Sequence, residues 1–212
     1  NRSISISPVS SRQRSTITVS GTGFPANNTQ AGADNRTVTI NYAAAGNAAA
    51  ASASPTPDAA GKFSATLTVP TTAGIPSDNT VTATIPAAGT VGATSTVIHA
   101  VPAAELKVSP AKGVPGTSVT VTGSNFPTFS NLTAATLGAR NVMPSPAPSS
   151  DRDGNIIAIL LAPDLDAGVQ SVVLTLGGTT ATASFEITTA PVAPPAPAVV
   201  ASVAPAAALA PL

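Results

Sequence analysis

An all-β fold, built as two tandem β-sandwiches followed by an extended Pro/Ala-rich C-terminal tail, is predicted by three observations. The first is composition. Charged residues make up 8% and aromatics 3% of the 212 residues, while Thr, Ser, Ala, Val and Gly dominate alongside 21 Pro. Thr and Val favour pleated, half-buried strands, and low charge with many β-branched residues is not the signature of disorder. The second is period-2 alternation in Ser15-Thr16-Ile17-Thr18-Val19-Ser20 and Thr37-Val38-Thr39-Ile40-Asn41-Tyr42. Strands of this kind, separated by Gly, Pro, Asn and Asp clusters with no helical period, argue for a sandwich. The third is an internal duplication.

Residues 4–25, ISISPVSSRQRSTITVSGTGFP, align without a gap on residues 106–127, LKVSPAKGVPGTSVTVTGSNFP, at an offset of 102. Pro8 falls on Pro110, Gly21 on Gly123, Phe24 on Phe126 and Pro25 on Pro127. A second block, Gly61 to Pro70, matches Gly154 to Pro163 at an offset of 93. A third pairs Val81, Ala83 and Ile85 with Val172, Leu174 and Leu176. The fall in offset places extra residues in the first copy, assigned to the Ala-rich run 43–53. Gly46 and Asn47 interrupt that run, so it reads as a loop. A period near 100 residues means duplicated domains, not a solenoid of short repeats. The expected division is 1–101, 102–189 and a tail at 190–212.

The second copy carries Ser109-Pro110, Gly113, Gly116, Thr117 and Val119 to Pro127, followed by Asp151, Gly154 and a strand ending in Pro163. This pattern resembles the IPT/TIG-type immunoglobulin-like repeats of bacterial surface proteins. The first copy departs from it, with Ser11 and Arg14 where the early glycines stand. The resemblance covers about residues 4–187 and implies two immunoglobulin-like β-sandwich domains. It leaves function open, since such modules serve as spacers, adhesins and filament subunits alike.

Several function classes are disfavoured by the residues themselves. Nine basic and nine acidic residues balance, with no basic run to suit nucleic acid. No apolar stretch approaches the ~20 residues that span a bilayer. Without Cys there is no disulfide scaffold and no thiolate metal site. The chain opens at Asn1 almost directly on the strand-like Ser3-Ile4-Ser5-Ile6-Ser7, which we read as a mature, exported chain. Enzymatic activity is not expected. His99 is the single histidine, and its place near the end of a strand reads as a surface or linker position. No Gly-x-Ser-x-Gly elbow accompanies it. No cofactor is expected.

Asp151, Asp153 and Asn155 space oxygen ligands as in the start of a calcium loop, with Asp164 and Asp166 nearby. The same residues, around Asp153-Gly154, also make a tight turn between strands, the preferred reading. Sequons stand at Asn1, Asn27, Asn35 and Asn131, about as many as chance supplies in so Ser/Thr-rich a chain. Phe24 and Phe126 read as plugs closing one end of each sandwich.

Two features point to self-assembly. The tail holds ten Ala and six Pro without a charge. At ~3.1 Å per residue in polyproline II geometry it spans about 70 Å, and its Pro-free run, with Val199, Val200 and Val203, suits pairing with a sheet edge. Comparing the copies face by face, Ser64, Thr66 and Thr68 become Ile157, Ile159 and Leu161, and Thr82 becomes Val173. These four residues are expected to form one apolar stripe on the outside of the second copy. The leading expectation is a structural subunit of an extracellular, cell-surface homopolymer such as a filament, whose partner is itself. The alternatives are an adhesin or glycan/protein-binding module, with residues 26–36 and 43–58 as candidate contact loops, and accessory domains of a larger secreted enzyme.

Overall fold

A computed structural model describes residues 2–25, 37–85 and 94–189, and no helix occurs among them. The N-terminal half comprises β1 (Ser3–Ser7), β2 (Thr16–Thr22), β3 (Thr39–Ala44), β4 (Asn47–Ala53), β5 (Phe63–Thr68), β6 (Ser77–Thr84) and β7 (Thr94–Val101). The C-terminal half comprises β8 (Glu105–Ser109), β9 (Lys112–Gly113), β10 (Ser118–Ser124), β11 (Leu132–Leu137), β12 (Arg140–Asn141), β13 (Ile156–Leu161), β14 (Gly168–Leu176) and β15 (Thr179–Ile187).

Strict alternation makes these strands two-faced. Ile17 and Val19 of β2 are buried while their neighbours turn outward, and Val119 and Val121 of β10 repeat the pattern. Each half therefore buries one face of two sheets against each other. The sheet β1-β2-β5 packs on β4-β3-β6-β7, and β8-β10-β13 packs on β12-β11-β14-β15-β9. A three-stranded sheet opposed to a larger one, with the chain crossing between them, is the immunoglobulin-like arrangement. One core draws on residues from Ile6 to Val101 and the other on residues from Val119 to Ile187.

The aligned blocks occupy equivalent places. Gly21 faces Phe63 across β2 and β5, and Gly123 faces Ile156 across β10 and β13. Both sites lack a Cβ because an aromatic ring or a branched side chain fills that space. Ser10 bridges Ala100 in parallel, as Lys112 pairs with Glu186. Phe24 and Phe126 are buried as plugs, and Phe24 meets Phe63 edge-on at 4.9 Å between ring centroids.

The Ala-rich run is not a loop. Residues 39–53 form the hairpin β3–β4, with Ala44 opposite Asn47. Ala45 (φ 50°) and Gly46 (φ 78°) make the two-residue turn, whose positive φ at both positions matches the twist of a hairpin. The Gly and Asn that break any helical reading are thus the hairpin's turn. Ala50, Ala51 and Ala53 then pack against the first core, where only small side chains are required.

Candidate functional site

The acidic turn comes first because it has a twin. Asp151 Oδ1 accepts the backbone N–H of Asp153 at 2.8 Å and of Asn155 at 2.9 Å. Asp58 Oδ1 accepts those of Ala60 and Lys62 at 2.9 and 2.8 Å. Gly154 (φ 75°) and Gly61 (φ 71°) close the two turns beneath the carbonyls of Phe126 and Phe24. The N–H donors, that of Asn155 foremost, hold the Asp151 carboxyl below the ordinary carboxylate range, with the Asn155 side chain and Arg12 adding to the effect. Asp153 instead meets the guanidinium of Arg12 at 2.8 Å. Among the described residues no group of three or more His, Cys, Asp or Glu is placed to hold a metal ion.

That Arg12–Asp153 pair joins the two halves. Beside it the Arg14 guanidinium lies over the Phe129 ring, 5.5 Å from its centroid. Arg14 (φ 64°) and Phe129 (φ 53°) both hold left-handed backbone. Together with Thr68, Pro70, Arg152 and Asp153 they line a cleft of about 650 Å³. Arg14 stands where the second copy has Gly116, and that substitution is the sequence-level signal for this junction.

His99 overturns its surface reading. Its ring is fully buried, with Nδ1 2.8 Å from the Tyr42 hydroxyl and Nε2 2.9 Å from Ser11 Oγ. Strand β7 places it inward by alternation, with Val101 buried on the same face and Ile98 exposed on the other. The repeat shows what it replaces. Ala100 corresponds to Glu186, so His99 stands where Phe185 does, while Tyr42 opposite Val81 corresponds to Leu137 opposite Val172. A polar relay in the first core thus takes the place of an apolar contact in the second. Burial pushes the His99 pKa below its ordinary value and raises that of Tyr42 to about 12. A ring so enclosed cannot meet a substrate.

The apolar stripe exists in altered form. On β13, Ile156, Ala158 and Leu160 point into the core, so Ile157, Ile159 and Leu161 face outward and are 65%, 61% and 64% exposed. Val173 does not join them. It lies on β14, in the opposite sheet, between Thr136 and Thr182, half-buried on that sheet's outer face. The expectation of one four-residue stripe failed because neighbouring strands in sequence belong to different layers of a sandwich. Val199, Val200 and Val203 lie outside the described residues, as do Asn1 and all of residues 26–36 with Asn27 and Asn35. Asn131 is exposed.

What the sequence reading missed is the cleft beside that stripe. Val142, Met143, Pro144, Ile159, Leu161 and Pro163 line a space of about 550 Å³. Its origin lies in the shorter second copy. In the first half β4 lies against β5, whereas its counterpart β12 is two residues long. The nine-residue fall in alignment offset was the sequence-level sign of the missing cover.

No protein-family model matches the chain, and no curated protein sequence matches it either. Solved structures do. A bacterial integrin-binding invasin aligns at 16% identity over 91% of this chain and 40% of its own, with a TM-score of 0.37. The Yersinia pseudotuberculosis adhesin InvE aligns at 14% identity over 89% of this chain and 59% of its own, with a TM-score of 0.36. Red sea bream transglutaminase aligns at 14% identity over 88% of this chain and 31% of its own, with a TM-score of 0.46. This chain spans less than two thirds of the length of each.

Proposed function

We propose that the chain is a structural module of an extracellular, cell-surface homopolymer, in which copies associate through the second of two domains, 102–189, and through the tail, 190–212, while domain 1–101 faces solvent. The observation that carries this reading is the outward row Ile157, Ile159 and Leu161 on one face of β13. A contiguous apolar patch is seldom left open on a monomer, and covering three such side chains contributes roughly 4–9 kcal/mol before ordering costs. The matching row in the first half is Ser64, Thr66 and Thr68, all exposed. The near absence of charge leaves little repulsion between copies.

The test transfers the first half's surface to the second. In sedimentation velocity across a concentration series, the parent chain is expected to self-associate. The Ile157→Ser/Ile159→Thr/Leu161→Thr chain is expected to stay monomeric with an unchanged melting temperature. A parent chain that remains monomeric at every concentration refutes the reading.

The junction cleft favours a second reading, a module that binds glycan or protein at a surface. Arg14, Arg152 and the exposed Phe129 bring cationic and aromatic groups to one concavity, at the kind of domain boundary where ligand sites are common.

A further inference from the structure

The second sandwich has a strand position that no described strand occupies. β13 pairs with β10 along one edge, and among the described residues no strand pairs with the other. An open edge presents unpaired backbone N–H and C=O groups, a template for another chain. Here the edge also borders the 550 Å³ cleft and carries Ile157, Ile159 and Leu161 on its outer face.

The place where the described chain stops bears on what fills it. After β15, the Thr188 N–H donates to the Gly113 carbonyl at 2.9 Å. Three residues along, the Gly116 N–H donates to the Ala162 carbonyl at 2.7 Å, directly after β13. The described chain therefore ends at the end of the sandwich at which β13 finishes. It carries no charge, and Pro191, Pro194, Pro195 and Pro197 precede the Pro-free run Val199-Val200-Ala201-Ser202-Val203.

We propose that Val199–Val203 of one copy adds to the open edge of β13 in a second copy, as a further strand of its β8-β10-β13 sheet. This rests on the assembly reading above and names its joint. Side chains alternate along a strand, so Val199, Ala201 and Val203 share one face. That face enters the cleft against Val142 and Met143, while Val200 extends the Ile157–Ile159–Leu161 row. Pro flanks the run without interrupting it, as strand addition requires. Length puts a second copy within reach. The nine residues 190–198 reach about 30 Å in polyproline II geometry. The six residues of β13 cover only about 20 Å. An extended 190–198 is therefore long enough to take the run beyond its own edge to a neighbour's.

The chain has no Cys, so single cysteines report the contact. Full-length chains bearing Ile157→Cys, Ile159→Cys or Leu161→Cys are each mixed with a full-length, mass-tagged Val200→Cys chain and oxidised. Cross-strand neighbours lie within disulfide reach. We expect a mixed disulfide with at least one of the three in non-reducing electrophoresis, and none with Thr66→Cys, the matching exposed position on β5. Linkage only within a chain carrying both Ile159→Cys and Val200→Cys would put the run on its own sandwich and overturn the second-copy contact. No linkage in any combination would overturn the docking itself. If that result came with a parent chain that still associates through the Ile157–Ile159–Leu161 row, the assembly reading would stand and this joint would fall.

Discussion

His99 shows how much one residue's environment depends on its partners. Its ring is enclosed with the Tyr42 hydroxyl on one nitrogen and Ser11 Oγ on the other. Enclosure disfavours the imidazolium, so the folded-state pKa is depressed. The folded form then binds fewer protons than the unfolded form over an interval below ~6.5. Its stabilising contribution is complete above that value and is lost as pH falls toward the folded pKa. The melting temperature is therefore expected to drop between pH 7.5 and pH 5. The His99→Phe/Tyr42→Leu chain, which copies the second core, should lose most of that slope. An equal slope in both chains would remove His99 as its source. For Tyr42, raised to about 12, the sign reverses: stability holds below pH ~10 and declines as pH climbs toward the folded value.

At the scale of elements, the turn before β2 and the turn before β10 make the same bond. Arg14 N–H donates to Val69 O at 2.9 Å, and Gly116 N–H donates to Ala162 O at 2.7 Å. The backbone is left-handed in both, φ 64° and 85°, so a side chain is strained in one and none exists in the other. Left-handed backbone costs a non-glycine residue roughly 1–2 kcal/mol, partly offset by the greater unfolded-state freedom of Gly. Arg14→Gly is expected to be more stable than Arg14→Ala by about 1 kcal/mol, read by chemical denaturation; equal stability would contradict the strain. The glycine-for-arginine difference between the copies was plain in the sequence. That Arg14 spends the strained conformation on a contact with Phe129 was not, because the two lie in different halves of the chain.

Across the whole molecule, the halves are joined by residues 102–104 between β7 and β8. Asn125 Nδ2 donates to Ala103 O at 3.2 Å and ties this connection to the second half. Two contacts set the angle across it, Arg12–Asp153 and Arg14–Phe129. An exposed ion pair contributes ~0.2–1 kcal/mol and a guanidinium over an exposed ring ~0.5–1 kcal/mol, so the junction is held but not locked. Small-angle scattering of the Arg12→Ala/Arg14→Ala chain, measured at a concentration where it is monomeric, should show a larger radius of gyration than the parent. Raising salt should move the parent the same way, since screening acts on exposed pairs. A parent profile matching the variant's at every salt concentration would mean these contacts do not set the angle.

The sequence by itself determined the all-β fold, the duplication and the inward faces of the strands. Those features are local or periodic: alternation selects the buried residues, and glycines at Gly21, Gly61, Gly123 and Gly154 mark backbone that a side chain would obstruct. The tertiary structure decided what depends on pairing. It turned the Ala-rich run into β4, drew His99 inward to Tyr42 and Ser11, and sent Val173 to the layer opposite Ile157, Ile159 and Leu161. It also left the far edge of β13 without a described partner. Strand order is set by contacts between residues far apart in the chain, and a face-by-face reading of single strands carries no information about which layer each one joins.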